Sequence, residues 1–501
     1  MPFKDAVKRL LSSVEHVNSE AYASNLQALQ LIIGDPANGI RFIIFSSGGM
    51  GHQSTAANII YRLAALGLKG IHDVIYFGQD LKKIATLFPQ FDPTRPQTPV
   101  VIQNATFNFI ESDAFEKSAA TVQKIGIVGG IDGVNYANYA TAFKISYLLA
   151  LQPYQWKQED SVIQIGDTEG NFNRFLDKNT ALKELSFSKR GYFIADPVMS
   201  AAYVRYFQNS QYADKYDTYS LITAAVTGSK VNMMPLYGLA VYDHAAYVGA
   251  DIMLFNLVTS VVYAQENTNK VSNKVKGAVL TVISELPAET YERFSGLIAG
   301  TDDRLTDNPL KEWIAAHSLP ERVKLLNYDD HGLPAALTAL ETNPTHIVVV
   351  NMGNLPLYAF NYLYSVADMP TVFEGAATNS LVLNFGKNYF ALPSGLNEDF
   401  ILYPTLPLNA AAPAEEPEAM KDIGTIIQST LQEWERDLQN EHAYSNPAIL
   451  IGLAVLIAFE SAGKPGPAYF KSLGDFFHSQ QEDKMLMGVF YLIQWLNHYK
   501  K

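Results

Sequence analysis

The chain has 501 residues, too many for one ordinary core, so two or three domains are expected. Hydrophobic residues make up 48% and charged residues 17%, which excludes a disordered chain, and a net charge of −13 argues against broad nucleic-acid binding and adhesion to anionic membranes. With no cysteine, disulfides, thiolate zinc sites, iron–sulfur clusters and a cysteine nucleophile are excluded.

Val7, Leu10, Leu11 and Val14 recur at helical spacing, so Asp5–Gln30 reads as helix. Met1–Asp5 lacks a charged-then-apolar signal pattern, and the expected location is the cytoplasm, with export as the alternative. Short apolar strands then alternate with helical stretches: Ile40–Phe45, Asp73–Phe77, Val100–Gln103, Lys124–Val128, Val162–Gly166 and Gly191–Ala195. Their β-branched, nearly unalternating composition suits a parallel sheet covered on both faces. Asp243–Tyr263 reads as a long buried helix, and the polar run Gln265–Lys274 as a domain boundary.

A second strand–helix series follows, with strands expected at Gly277–Ile283, Val323–Asn327, His346–Asn351, Thr371–Phe373 and Tyr389–Leu392. Leu408–Glu418 reads as a linker, and from Ile423 the chain looks helical. Its most apolar stretch, Pro447–Phe459, is shorter than the about 20 residues a transmembrane helix needs, so no membrane span is expected. The expected division is residues 1–270, 275–407 and a helical extension 421–501. The expected fold class is α/β, with two domains facing a shared cleft.

Two glycine-rich turns carry the functional signal. Each follows a strand and opens a helix, where free backbone N–H groups and the helix dipole favour an anion. The first is Ser46–His52, with Gly48, Gly49 and Gly51 allowing a tight turn and a close ligand approach. His52 at the helix start is a candidate base, and Gly67 the helix stop. The second is Glu374–Ser380. Gly375, Ala376 and Ala377 expose amides, and Thr378, Asn379 and Ser380 add donors in the first helical turn, a set suited to pyrophosphate. Glu374 is placed to accept hydrogen bonds from sugar hydroxyls, and Gly386 is the helix stop. Asn351, Gly353 and their neighbours through Pro356 end the preceding strand and are expected to frame a nucleobase. Ser284 and Glu285 end another and are expected to reach a phosphate. Asp132, Asp167, Glu169, Asp243 and Asp329 are acidic candidates, of which Asp167 follows the strand Val162–Gly166. Neither glycine turn has the spacing of a dinucleotide fingerprint or a P-loop, and no zinc helix, nucleophile elbow, EF-hand or Asp-x-Asp pair occurs.

The stretch from Val366-Ala367-Asp368 through Glu374–Ser380 to Gly386-Lys387 and Pro393 resembles the donor-site segment of GT-B glycosyltransferases, which use two Rossmann-like domains across a cleft. Gly48–His52 is similar to the glycine–histidine loop of the bacterial lipid-linked sugar transferases in that class. Two departures stand out: Asn388 replaces the proline usual after Gly386-Lys387, and the usual acidic residue later in the donor helix has no counterpart in Leu381–Leu383.

The resemblance implies transfer of a sugar from a nucleotide-sugar co-substrate, with UDP the expected carrier, to an acceptor that is a small molecule, glycan or protein. No metal and no other cofactor is implied. The donor would be bound by Gly49, Gly51, Ser284, Asn351, Gly353 and Glu374–Ser380, with His52 or Asp167 taking the acceptor proton. A nucleotide-sugar epimerase of the same architecture and a non-catalytic binding or effector protein are the alternatives.

Overall fold

The computed structural model describes residues 51–111, 201–240, 249–269, 276–306 and 310–374 continuously, together with 27, 30, 33–36, 41–44, 127–129, 378, 381–382 and 385–391. Two compact units divide between Val198 and Met199. Each is an α/β unit built on its own sheet.

In the first unit, β1 (Arg41–Ile43), β2 (Gly70–Tyr76), β3 (Val100–Ile102), β4 (Ala105–Glu111) and β5 (Ile127–Gly129) form a sheet of order β3-β4-β2-β1-β5. All neighbours are parallel except the hairpin β3–β4, whose turn places Gln103 at φ 53°. Helix α1 (Gly51–Ala65) connects β1 to β2, and α2 (Leu81–Leu87) follows β2. Ala56, Ala57, Ile60, Leu63 and Ala64 of α1 are buried, the stripe expected of a helix lying on a sheet. The helix ends as its sequence predicts: Gly67 takes φ 106°, and the amide of Leu68 donates to the Leu63 carbonyl at 3.0 Å. Phe42 and His72 pack on Phe107, and Phe88 and Phe91 on Phe109.

In the second unit, β6 (Asn232–Leu236), β7 (Ala278–Val282), β8 (Val323–Asn327), β9 (Ile347–Asn351), β10 (Thr371–Phe373) and β11 (Tyr389–Ala391) make a wholly parallel sheet of order β11-β10-β6-β7-β9-β8. Every residue of β7 is buried, as are Ile347–Val350 of β9, because helices cover the sheet. These helices are α3 (Ala201–Gln208), α4 (Tyr216–Thr227), α5 (Ala250–Asn269), α6 (Ala288–Ala299), α7 (Leu310–Ala316), α8 (Leu319–Arg322), α9 (Leu333–Leu340) and α10 (Leu357–Val366). Helix α5 packs on α6, and α4 on α9 and α10. The described part of α5 is buried on nearly every side from Ala250 to Gln265, including Asp251, Asn256 and Thr259. Among the described residues no helix is long and apolar enough to cross a membrane.

With the edge strands β3, β8 and β11 set aside, both sheets share one order. It is β4-β2-β1-β5 in the first and β9-β7-β6-β10 in the second. This is the doubly wound arrangement, Rossmann-like in character, in which the chain reverses direction beside the first strand. The reversal falls between β1 and β5 in one sheet and between β6 and β10 in the other.

The structure differs from the sequence reading in where the second unit starts. Strand β6 and helix α5 lie within the stretch 1–270 assigned to the first domain, yet β6 is a central strand of the second sheet. The start of the polar run Gln265–Lys274 is the last turn of α5. The expected strands Val162–Gly166 and Gly191–Ala195, the linker Leu408–Glu418 and the extension 421–501 lie outside the described residues.

Candidate functional site

Parallel strands in register bring their carboxyl ends to one edge. In the second sheet Leu236 pairs with Val282 and Val372, and Asn351 with Val282 and Asn327. The residues that leave these strands form a continuous rim: Tyr237 and Gly238 after β6, Ser284 and Glu285 after β7, Tyr328 after β8, Met352–Asn354 after β9 and Glu374 after β10.

Main-chain hydrogen bonds knit this rim. The Tyr237 amide donates to the Val372 carbonyl at 3.0 Å, and Ile283 to Leu236 at 2.7 Å. Met352 and Gly353 both donate to the Val282 carbonyl, at 3.0 and 3.2 Å. The Gly238 amide turns aside and donates to the buried Ser284 Oγ at 3.0 Å. Gly238 has φ 92°, and a Cβ there would come within 2.3 Å of the Glu374 Cβ and 2.9 Å of its amide nitrogen. Glycine is required at this point for conformation and for contact. The close approach brings Glu374 onto the β6 loop at the reversal between β6 and β10.

Asn351 is at the rim as expected, with its amide committed to the protein. Its Nδ2 donates to Asn327 Oδ1 at 3.0 Å, and its Oδ1 accepts from the Tyr291 hydroxyl at 2.9 Å. Gly353 is buried with φ 58°. Thr378 is helical and buried, as are Leu381 and Val382, and Gly386 ends the helix at φ 59°. The Lys387 amide donates to the Val382 carbonyl at 3.2 Å, and its Nζ to the Ala367 carbonyl at 2.7 Å.

Lys215 has no place in the sequence reading, yet it belongs to this rim. A short 3-10 turn, Ala213–Lys215, leads into α4 and delivers the side chain to the loop after β9. The residue is 8% exposed, and Nζ donates to the Asn354 carbonyl at 2.9 Å. The ammonium lies 5.3 Å from the Tyr212 ring centre and 5.2 Å from that of Tyr328. Burial lowers its pKa, against the opposing pull of Asp214 and Glu285. The Tyr328 hydroxyl donates to Asp214 Oδ2 at 2.6 Å, and that bond, with burial and the nearby carboxylates, pushes the phenol up to about 12. No motif marks Lys215: one lysine among tyrosines reads as a solvated helix start.

In the first unit, Gly51 and His52 open α1 on the carboxyl side of β1, next to the reversal with β5. Their side chains lie outside the described residues, as do Gly49, Asp167, Gly375, Ala376, Ala377, Asn379 and Ser380. Among the described residues no group of three or more His, Asp or Glu is placed to hold a metal.

The described rim of the second unit therefore carries the carboxylates of Glu285 and Glu374 and the Lys215 ammonium, while its amides at Tyr237, Gly238, Ile283, Met352 and Gly353 are bonded within the protein. No known protein family matches the chain, and no curated protein matches it either.

Proposed function

We propose that the chain is a metal-independent glycosyltransferase of the GT-B kind, with the second unit holding the nucleotide-sugar donor. The observation that carries this reading is Glu374 seated on Gly238 at the reversal of a doubly wound sheet, one residue before the small-residue turn 375–377. Ligands of open α/β sheets bind at the carboxyl ends of the strands beside that reversal.

On this reading the amides of residues 375–380 receive the diphosphate, and Glu374 accepts from hydroxyls of the ribose or the donor sugar. Ser284 lines the phosphate side, and the Met352–Asn354 turn borders the base. The acceptor oxygen attacks the anomeric carbon, the bond from that carbon to the diphosphate oxygen breaks, and the nucleoside diphosphate leaves with the bonding electrons. The acceptor proton passes to His52 or Asp167. Dipoles aimed at the departing diphosphate would replace the charge that a metal ion supplies elsewhere.

The test is a thermal-unfolding panel of nucleoside diphosphates and their sugars on the full chain. A ligand at 100 times its dissociation constant adds about 2.7 kcal/mol of stability. The expected result is selective stabilisation by one base, lost in E374A, followed by sugar transfer in a product assay with that donor. A flat panel overturns the reading.

A further inference from the structure

We infer that the free edge of β8 is a self-association surface, on which two copies of the chain pair β8 with β8, antiparallel, about a two-fold axis at Leu325. The second sheets of the two copies then run on as one. This goes beyond the donor reading: it concerns the outer strand of the second sheet and holds whatever ligand the rim takes.

Strand β8 ends the sheet. Among the described residues it pairs with β9 alone, and its Lys324 and Asn327 are exposed. The Tyr328 amide donates to the Asn351 carbonyl at 3.1 Å, and Asn327 is in register with Asn351. The alternation along the strand follows: the main-chain groups of Lys324 and Leu326 face β9, and those of Val323, Leu325 and Asn327 face outward. Two of the outward groups are already used. The Val323 amide donates to the Leu319 carbonyl at the end of α8, and the Asn327 carbonyl accepts from the Asp330 amide at 3.0 Å. The rest, the Leu325 N–H and C=O, the Asn327 N–H and the Val323 C=O, have no partner among the described residues.

These free groups match one another across a two-fold axis. Antiparallel pairing centred on Leu325 sets it opposite Leu325 of the second copy, where both N–H···O=C bonds are exchanged. It also sets Val323 opposite Asn327, where the free Asn327 N–H meets the free Val323 C=O. The one bond such a pairing would add, from the Val323 N–H to the Asn327 C=O, involves the two groups that the chain has bonded to itself. No donor or acceptor of the edge is left over. The charges agree: Lys324 falls opposite Leu326, whereas in-register parallel stacking would set Lys324 against Lys324. The side chains agree as well. Val323 and Leu325, with Phe294 and Ile298 of α6, line an apolar cavity of about 200 Å³ whose rim residues Ser295 and Ala299 are exposed. Leu325 of the second copy, about 5.5 Å away across the axis and on the same face, brings an apolar side chain to its mouth.

The test is sedimentation velocity on the full chain over a concentration series. Wild type should dimerise. L325E and L325K each place like charges opposite each other across the axis, and each should dimerise at least about tenfold more weakly. Mixing the two variants should restore dimers, because opposite charges then face each other. Disulfide trapping does not depend on those variants folding: the chain has no cysteine, so an introduced one is its only thiol. Positions 324 and 326 form a non-hydrogen-bonded pair across the axis, about 4.5 Å apart and within disulfide range, while like positions sit a diagonal of about 7–8 Å apart. K324C mixed with L326C should therefore link at least about fivefold faster under mild oxidant than either alone. A wild type that stays monomeric up to ~100 μM overturns the inference. So do full-strength dimers of folded L325E or L325K, folded variants that stay monomeric when mixed, or linking no faster in the cysteine mixture. A monomeric chain that answers the nucleotide panel sinks this inference alone. Dimers with a flat panel sink the donor reading alone.

Discussion

The Cα of Gly238 packs against Glu374 so closely that one added methyl carbon would lie 2.3 Å from the Glu374 Cβ. The contact joins the loops after β6 and β10 at the reversal of the sheet. G238A therefore introduces two faults, a left-handed φ of 92° on a residue with a side chain and a collision with Glu374. We expect it to lower stability by about 2–4 kcal/mol in urea unfolding. Adding E374G should relieve the contact with the Glu374 Cβ, but not the 2.9 Å contact with its amide nitrogen or the part due to φ. A loss under about 0.5 kcal/mol in G238A would show that the two loops separate freely.

Ser284 is the second tie at this point. Its Oγ accepts the Gly238 amide at 3.0 Å in a buried setting. S284A leaves that amide without its acceptor, a cost of about 1–3 kcal/mol. On the donor reading it should also weaken nucleotide binding, by displacing the β6 loop and Glu374 with it. Equilibrium unfolding and a nucleotide titration on the same preparation separate the two effects. Binding unchanged in a destabilised S284A protein would remove Ser284 from the site.

What the sequence revealed follows from how each strand is covered. The Val- and Ile-rich runs of β7 and β9 are legible because helices cover both faces, so nothing polar interrupts them. Strand β6 is not legible. Its Asn-Met-Met-Pro-Leu sequence has weak strand propensity, and Pro235 argues against a central strand. The structure accommodates the proline through the alternation of amide directions. The amides of Met233 and Tyr237, on either side of it, bond Asp368 Oδ1 and the Val372 carbonyl. The missing N–H of Pro235 thus falls on the β10 side, where pairing is reduced to Leu236 with Val372. The expected boundary rests on the polar run Gln265–Lys274, whose start is the end of α5, and nothing in the β6 sequence opposes that placement. The sequence places Gly353 and Glu374 at strand ends, where the structure has them, but not Gly238, because the strand before it, β6, is not legible. Lys215 is not legible, since its place on the rim depends on a bond to the Asn354 carbonyl, 139 residues later in the chain.

Two groups near the amino end of the second sheet give the fold a two-step acid response. Burial, with Arg322 and Lys324 adding to it, holds His346 below its ordinary 6.5. The unfolded chain therefore binds the proton more readily, and stability falls as pH drops below about 6.5. Glu266 responds lower. Burial alone would raise its pKa, but hydrogen bonds from His317 and Arg322 outweigh burial and bring it below 4.5. Its contribution is present above about 4.5 and is lost as pH falls through the folded value. Urea midpoints measured from neutral pH to pH 3 should show both losses. H346Q should flatten the upper one and E266Q the lower, and an H346Q curve parallel to wild type above pH 5 would contradict the assignment.

Asp251 fastens α5 to the segment after α6. Its carboxylate is 1% exposed and accepts from Arg304 Nη2 at 2.6 Å, with Arg293 Nε at 3.6 Å from the same oxygen. Arg304 in turn holds Asp302 at 2.8 Å, and that hydrogen bond, outweighing burial, lowers the Asp302 pKa. The first turn of α5 also favours an acid by its dipole. R304M leaves the Asp251 carboxylate buried with one distant guanidinium. We expect a loss of about 2–3 kcal/mol, below the usual cost of a broken buried pair because Arg304 is itself a third exposed. D251N combined with R304M should be less destabilising than the sum of the single changes, since the double variant no longer buries the Asp251 charge, and the loss at Asp302 is common to it and R304M. Strict additivity in that cycle would mean that the pair contributes through packing and that its charge adds nothing to the stability of the second unit.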